Sequence, residues 1–360
     1  MVATMDTTHS PVHVLDDYYL AITLLLTIAY QLIGFSIAFS LKFDKLTDLM
    51  GGSNFVWLAI LTLSFSGTLV ARNIVISIFI MLWGTRLSAF LLFRILKTGS
   101  DDRFDDKRDK FFPFLGFWVF QMLWCWTVSL PVTIINSPRV LRYPQPSFGK
   151  ATDILSIIIF AIAFVMEAVS DVQKYRFKQS PAGKQKGAVC DVGFFKWSRH
   201  PNYFGEIAVQ FSIYLMAITP AAYDFIPNTT GPAAALYASI VGFLFLTLLL
   251  LFVSGLTLQE RPGAKKRYEK GEGWHAYAKY LEETSVLIPM PKAVWKRLPV
   301  MVKRTVGMEW PIYVFDPEKH ADLDKVRQQQ EEEGRAEREV IGNGGGGGDG
   351  DGRQSEEPLR

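Results

Sequence analysis

The chain has 360 residues, of which 49% are hydrophobic, 14% aromatic and only 20% charged, and its net charge is +3 at pH 7. So slight a charge makes no case for a nucleic-acid partner. The apolar residues gather into runs that exclude a soluble globular domain, a disulfide-stapled secreted scaffold and a disordered chain as readings of the whole.

Residues 1–16 form a short N-terminal tail. The first 17 residues hold no Lys or Arg, so they do not make a cleavable signal peptide. Tyr18–Leu41 follows with 24 residues free of Asp, Glu, Lys and Arg, long enough to cross a bilayer as a retained signal anchor. Further spans are expected at Asn54–Ala71 and Asn73–Phe93, joined by a tight hairpin. Another is expected at Phe111–Ile135, inside a 28-residue uncharged run. Thr152–Asp171 and Tyr203–Ala222 come next. The last span is Ala233–Leu256, a 24-residue helix left after a short loop where Pro227 and the Gly231–Pro232 pair cut the longer uncharged run. The fold class is therefore all-α, a polytopic membrane protein with about seven transmembrane helices. Cys125 in an apolar run and Cys190 in a basic segment are not expected to pair, and no Cys/His cluster offers a metal site.

Loop charge is consistent with that count. With the N-terminus facing the lumen or exterior, the loops on the cytosolic side carry fifteen Lys or Arg and the opposite loops carry four. This predicts a cytosolic C-terminus. The membrane domain is expected over 17–291, a further segment over 292–315, and a charged, Gly-rich disordered tail over 316–360.

Ionisable groups inside spans are costly and point to function. Arg86 lies mid-span and reads either as an interhelical ion-pair partner or as a functional group. Glu167 and Asp171 share one face of the fifth span, continued by Lys174 and Lys178; of these, Glu167 reads as a structural partner. Asn202, Glu206 and Gln210 form a second polar stripe on the sixth. Just before it, Arg199, His200 and Pro201 mark a helix start, whose free N–H groups beside Arg199 suit an anion. After the last span, Arg267, Tyr268, Trp274, Tyr277 and Tyr280 make a basic, aromatic segment. It reads equally as an interfacial amphipathic helix and as a lid over a charged ligand.

The stretch Ser198–Arg199–His200–Pro201–Asn202–Tyr203–Phe204–Gly205–Glu206 resembles the signature of the DUF1295 branch of the steroid 5-alpha-reductase superfamily. Trp83–Gly84 with Arg86–Leu87, Ser129–Leu130–Pro131–Val132, Asp171 with Lys174 and Phe177–Lys178, and Thr284–Ser285 before Ile288–Pro289 match the same pattern in order. The resemblance covers roughly 55–291. Sterol C14 and C24 reductases share the Arg-His-Pro-Asn-Tyr core, and isoprenylcysteine carboxyl methyltransferases carry a related Arg-His-Pro-x-Tyr.

The resemblance implies an NADPH-dependent reductase of a carbon–carbon double bond in a steroid-like or other lipid, with NADPH held among the C-terminal helices. It implies cofactor binding by Asp171, Lys174, Lys178, Arg199, His200, Asn202, Arg267 and Tyr268. Catalytic roles fall to Glu206, Tyr203 and Tyr277, with a tyrosine or an acid as proton donor. The endoplasmic reticulum is the expected membrane. No GxGxxG follows a strand, so a Rossmann cofactor fold is not available and a dinucleotide has to bind among helices. Two alternatives stand beside this reading: an S-adenosylmethionine-dependent membrane methyltransferase, and a non-catalytic membrane scaffold.

Overall fold

The computed structural model describes residues 10–43, 45–98, 109–322, 324–328 and 331. Among these the chain is helical and forms no strand. Six helical segments are long and apolar enough to cross a membrane: Leu20–Ser40, Leu46–Ser66, Ala71–Lys97, Phe111–Val128, Ala151–Gln179 and Gly231–Glu269. The protein is accordingly a multi-pass membrane protein.

Helix α1 (Leu20–Ser40) starts beneath Asp16, whose carboxylate accepts from the N–H groups of Tyr18, Leu20 and Ala21 and so satisfies the open first turn. Helix α2 (Leu46–Ser66) begins eight residues before the expected Asn54. The Gly51–Gly52 pair lies ahead of the expected span, and both glycines are helical. A Cβ on Gly52 would lie 2.2 Å from the Ser88 Oγ and 3.0 Å from the Ser88 nitrogen. The missing side chain lets α2 press onto α3 (Ala71–Thr98), as small residues commonly do between membrane helices. Helix α4 (Phe111–Val128) is offset at Ser129 from α5 (Leu130–Ile135), because Pro131 cannot continue the hydrogen-bond ladder. The expected fourth span is thus two helices, followed by the short α6 (Pro138–Leu141).

Helix α7 (Ala151–Gln179) outruns its expected end at Asp171 by two turns and so carries Lys174 and Lys178 within it. Helix α8 (Pro201–Ala217) occupies the expected sixth span but has 17 residues; a break at Ile218, ahead of Pro220, separates it from α9 (Thr219–Ala222). This is why six segments rather than seven meet the length of a full crossing. The last span is built from α10 (Gly231–Ala238), α11 (Ile240–Leu248) and a π-helical turn at Leu249–Val253. The chain then continues as α12 (Leu256–Glu269) instead of stopping at Leu256.

The core lies where α2, α3, α5, α7, α8 and α11 meet. Phe55, Ile80, Trp83, Val209 and Ile213 are fully buried there, and Phe79 stacks on Phe160 at 3.8 Å between centroids. The remaining elements are α13 (Trp274–Glu283), α14 (Lys292–Arg297), α15 (Val300–Thr305) and α16 (Pro317–His320). The expected disordered tail begins too early. Within it α16 is helical, and the Asp322 N–H donates to Glu269 at 2.8 Å. Aromatic side chains at Trp310, Tyr313 and Phe315 supply apolar surface that the charge count from Asp316 onward overlooks. The Gly-rich part of the expected tail, from residue 332, lies outside the described residues.

Candidate active site

Two polar stripes meet because α7 and α8 lie unusually close. At Gly205 an added Cβ would fall 2.8 Å from the Ala163 carbonyl oxygen and 2.9 Å from the Glu167 nitrogen, so only glycine allows this approach. Pro201 opens α8 as the sequence predicts. The contact brings Asp171 and Lys174 of α7 to the same space as Asn202, Tyr203 and Glu206 of α8.

That space is a cavity of about 700 Å3. Asp171, Lys174, Lys178, Asn202, Tyr203 and Glu206 line its polar part; Leu87, Phe90, Phe120, Trp124, Leu246 and Leu250 line its apolar part. Gln210, the third member of the α8 stripe, is buried and does not reach the cavity. A second cavity of about 300 Å3 is lined by Lys174, Lys178, Arg199, His200, Glu260, Arg267 and Tyr277. Lys174, Lys178 and Gln259 line both cavities, so the two adjoin. Ten of the eleven site residues expected from sequence thus line one cavity or the other. Tyr268 does not. It packs against Trp274 and Phe315.

Arg86 settles between the helices. Its Nη1 donates to Glu167 and its Nη2 to Asp171, so one cation serves two carboxylates at the rim of the larger cavity. Glu167 Oε2 and Asn202 Oδ1 are buried without a hydrogen-bond partner. Buried polar atoms are seldom left unpaired, and two of them at a cavity wall are what a polar ligand would satisfy.

The signature residues form a connected network at the second cavity. Arg199 Nη2 lies 3.1 Å from Glu309 Oε1 and 3.3 Å from Glu260 Oε2. His200 Nε2 lies 2.6 Å from Glu260 Oε1. Burial pushes the His200 imidazole below its ordinary pKa despite the carboxylate beside it. A neutral ring then donates its Nε2–H to Glu260. His200 stacks on Tyr203 at 5.2 Å between centroids, and Gln259 Nε2 donates to the Tyr203 oxygen. Lys174 Nζ reaches Gln259 Oε1 at 3.5 Å. Arg267 donates to the Gly187 and Ala188 carbonyls while its guanidinium lies 4.5 Å over the Tyr277 ring. Burial pushes the Tyr277 phenol up to about 12, so it stays protonated at neutral pH.

Gln259, Glu260 and Glu309 are not among the site residues expected from sequence. Gln259 and Glu260 sit just past the last apolar run, at a point that reads as a span boundary. Their membership follows from α12 continuing the helix. Glu309 lies more than a hundred residues from Arg199, and no local pattern marks it.

The chain matches the family model described as "Protein of unknown function (DUF1295)" over residues 34–284. The protein belongs to this family. An uncharacterized protein of Schizosaccharomyces pombe is 28% identical over 114 residues, covering 27% of this chain and 31% of that relative. The chain thus spans about a third of that relative's length in the match. No solved structure matches.

Proposed function

We propose that the protein is an NADPH-dependent reductase of a carbon–carbon double bond in a lipid-like substrate. The observation that carries this reading is the pairing of a small basic cavity with a larger cavity that is polar at the junction and apolar beyond it. Four cations, Lys174, Lys178, Arg199 and Arg267, line the small cavity against one carboxylate, Glu260. That balance suits the phosphates of a dinucleotide. It suits S-adenosylmethionine poorly, since that molecule carries no phosphate. A scaffold would have no need of a cavity into which the polar stripes of α7 and α8 both open.

The residues present fit the cofactor. Lys174, Lys178, Arg199 and Arg267 would hold its phosphates, and Asn202 and Glu206 would orient its amide end where the cavities meet. When bound, reduced nicotinamide supplies a hydride. Tyr203 lines the substrate cavity, and its oxygen accepts from Gln259, which leaves the hydroxyl proton directed away from that bond. It is the proton donor in this reading: its proton would go to one carbon of the double bond, the other taking the hydride that a bound reduced nicotinamide would supply. Tyr277 lies in the phosphate compartment and shapes it through its stacking with Arg267. The apolar wall from Leu87 to Leu250 excludes water and accepts a hydrocarbon body. The proposed location is the endoplasmic reticulum with the C-terminus in the cytosol, supported by the concentration of Lys and Arg in alternate loops.

Thermal unfolding of the purified full chain in detergent tests the reading. A ligand at a hundred times its Kd should add about 2.7 kcal/mol to the stability of the folded state. NADPH is expected to raise the unfolding midpoint, and Asn202→Ala and Glu206→Gln to remove that rise while leaving the ligand-free midpoint nearly unchanged. Stabilisation by S-adenosylmethionine and not by NADPH rejects the reductase.

A further inference from the structure

The family match ends at residue 284, but the chain beyond it returns to the site. Met308–Phe315 lies as a strap across the π turn and the start of α12. The Tyr313 hydroxyl donates to the Leu251 carbonyl at 2.7 Å, and Trp310 stacks on Phe252 at 5.1 Å. Arg261 donates to the Pro311 and Val314 carbonyls at 2.6 and 3.2 Å. These contacts fix the strap's position independently of Glu309.

From the strap, Glu309 accepts a hydrogen bond from Arg199 Nη2 at 3.1 Å. Arg199 Nη1 donates to the Leu281 carbonyl at 3.3 Å. Both terminal nitrogens are therefore held by protein, while Nε is buried without a partner. Arg199 lines the small cavity and Glu309 lines neither. The carboxylate grips the guanidinium from outside the cavity. A guanidinium is planar, so fixing its two terminal nitrogens fixes the plane and the direction of the third donor. An arginine held this way loses little freedom when it meets an anion, whereas a loose one has to be ordered by the ligand.

We propose that Glu309 is a positioning residue for Arg199: a strap outside the family match pre-orients this arginine for the phosphate of the bound dinucleotide. The proposal rests on the NADPH reading above. Glu309 itself touches no ligand. Removing its side chain leaves Nη2 with Glu260 alone, at 3.3 Å, and so loosens the hold on the plane of the guanidinium. A glutamine in its place keeps an oxygen acceptor at the same reach.

NADPH titration of the full chain in detergent, followed by nicotinamide fluorescence, tests this in a double-mutant cycle with Arg199→Lys. Glu309→Ala is expected to raise the Kd about tenfold, and Glu309→Gln to leave it within about twofold of the parent. In the Arg199→Lys background Glu309→Ala is expected to add nothing, since the planar fork it positions is gone. A Glu309→Ala protein that binds like the parent overturns the proposal. So does a Glu309→Gln protein as weak as the alanine variant, or an undiminished loss in the Arg199→Lys background, which would mark Glu309 as merely structural. If the parent chain fails to bind NADPH, the reductase reading falls and takes this proposal with it; parental binding with an unaffected alanine variant sinks this proposal alone.

Discussion

Helix α3 sends two arginines to carboxylates on α7, and the two pairs are built differently. Arg72 and Asp153 are both fully buried, and every polar contact is closed: Arg72 donates twice to Asp153 at 2.8 Å and also to the Pro146 and Ser147 carbonyls. Asp153 in turn accepts from the Gly149 and Lys150 N–H groups and from Thr219. Arg86, four turns along, meets Glu167 and Asp171 at a cavity wall, with an unpaired oxygen left on Glu167. The same residue types on the same two helices thus make a rivet in one place and one side of a binding pocket in the other. What separates them is whether the remaining lone pairs are satisfied by protein, which the mere presence of charged residues within spans does not reveal.

The difference predicts opposite consequences for substitution. Asp153→Asn should be the most damaging single change, because it strands a fully buried guanidinium. Breaking such a pair costs about 3–5 kcal/mol, measurable as a large fall in the unfolding midpoint of the detergent-solubilised protein. A modest change there would show that water reaches Arg72 and that the contrast is wrong. Gly205→Ala should come next, at about 1–3 kcal/mol, because its Cβ has to force α8 off α7. The same substitution should also reduce NADPH stabilisation, since it parts the two polar stripes; a variant that keeps full ligand response would separate helix contact from site assembly.

The smallest expected effect is at alkaline pH. The Tyr277 phenol is raised from 10.0 to about 12 by burial, so folding favours its neutral form. An unfolded phenol begins to ionise near pH 10 while the folded one holds its proton, so this contribution is complete below pH 10 and is lost as pH rises towards 12. Tyr277→Phe should accordingly flatten the decline of stability between pH 10 and 12. An unchanged decline would place its origin elsewhere, for instance at Tyr313, whose phenol is raised to a similar value.

The spans are legible in the amino-acid order because hydrocarbon demands long uncharged runs. The stripes Asp171–Lys174–Lys178 and Asn202–Glu206 are legible because helical periodicity places such residues on one face. The start of α2 is not. What the glycines pack against is known only from the fold: Gly84 and Ser88 of α3 crowd Gly52, and the Gln121 side chain of α4 crowds Gly51. The break after Ala217 is also hidden, since Pro220 sits within an apolar run that otherwise reads as continuous.

The sequence by itself determined that this is a membrane protein, which runs are apolar enough to form its spans, and which stretch around Arg199 to Glu206 carries its family character, because all three are local patterns in one dimension. Tertiary structure decided which of two arginines closes and which stays open to a cavity. It also decided that Gln259 and Glu260 join the site and that Glu309 reaches back to Arg199 across 110 residues. Those facts depend on the angle and spacing at which helices pack, and packing is set by volume and hydrogen-bond closure among residues far apart in the chain.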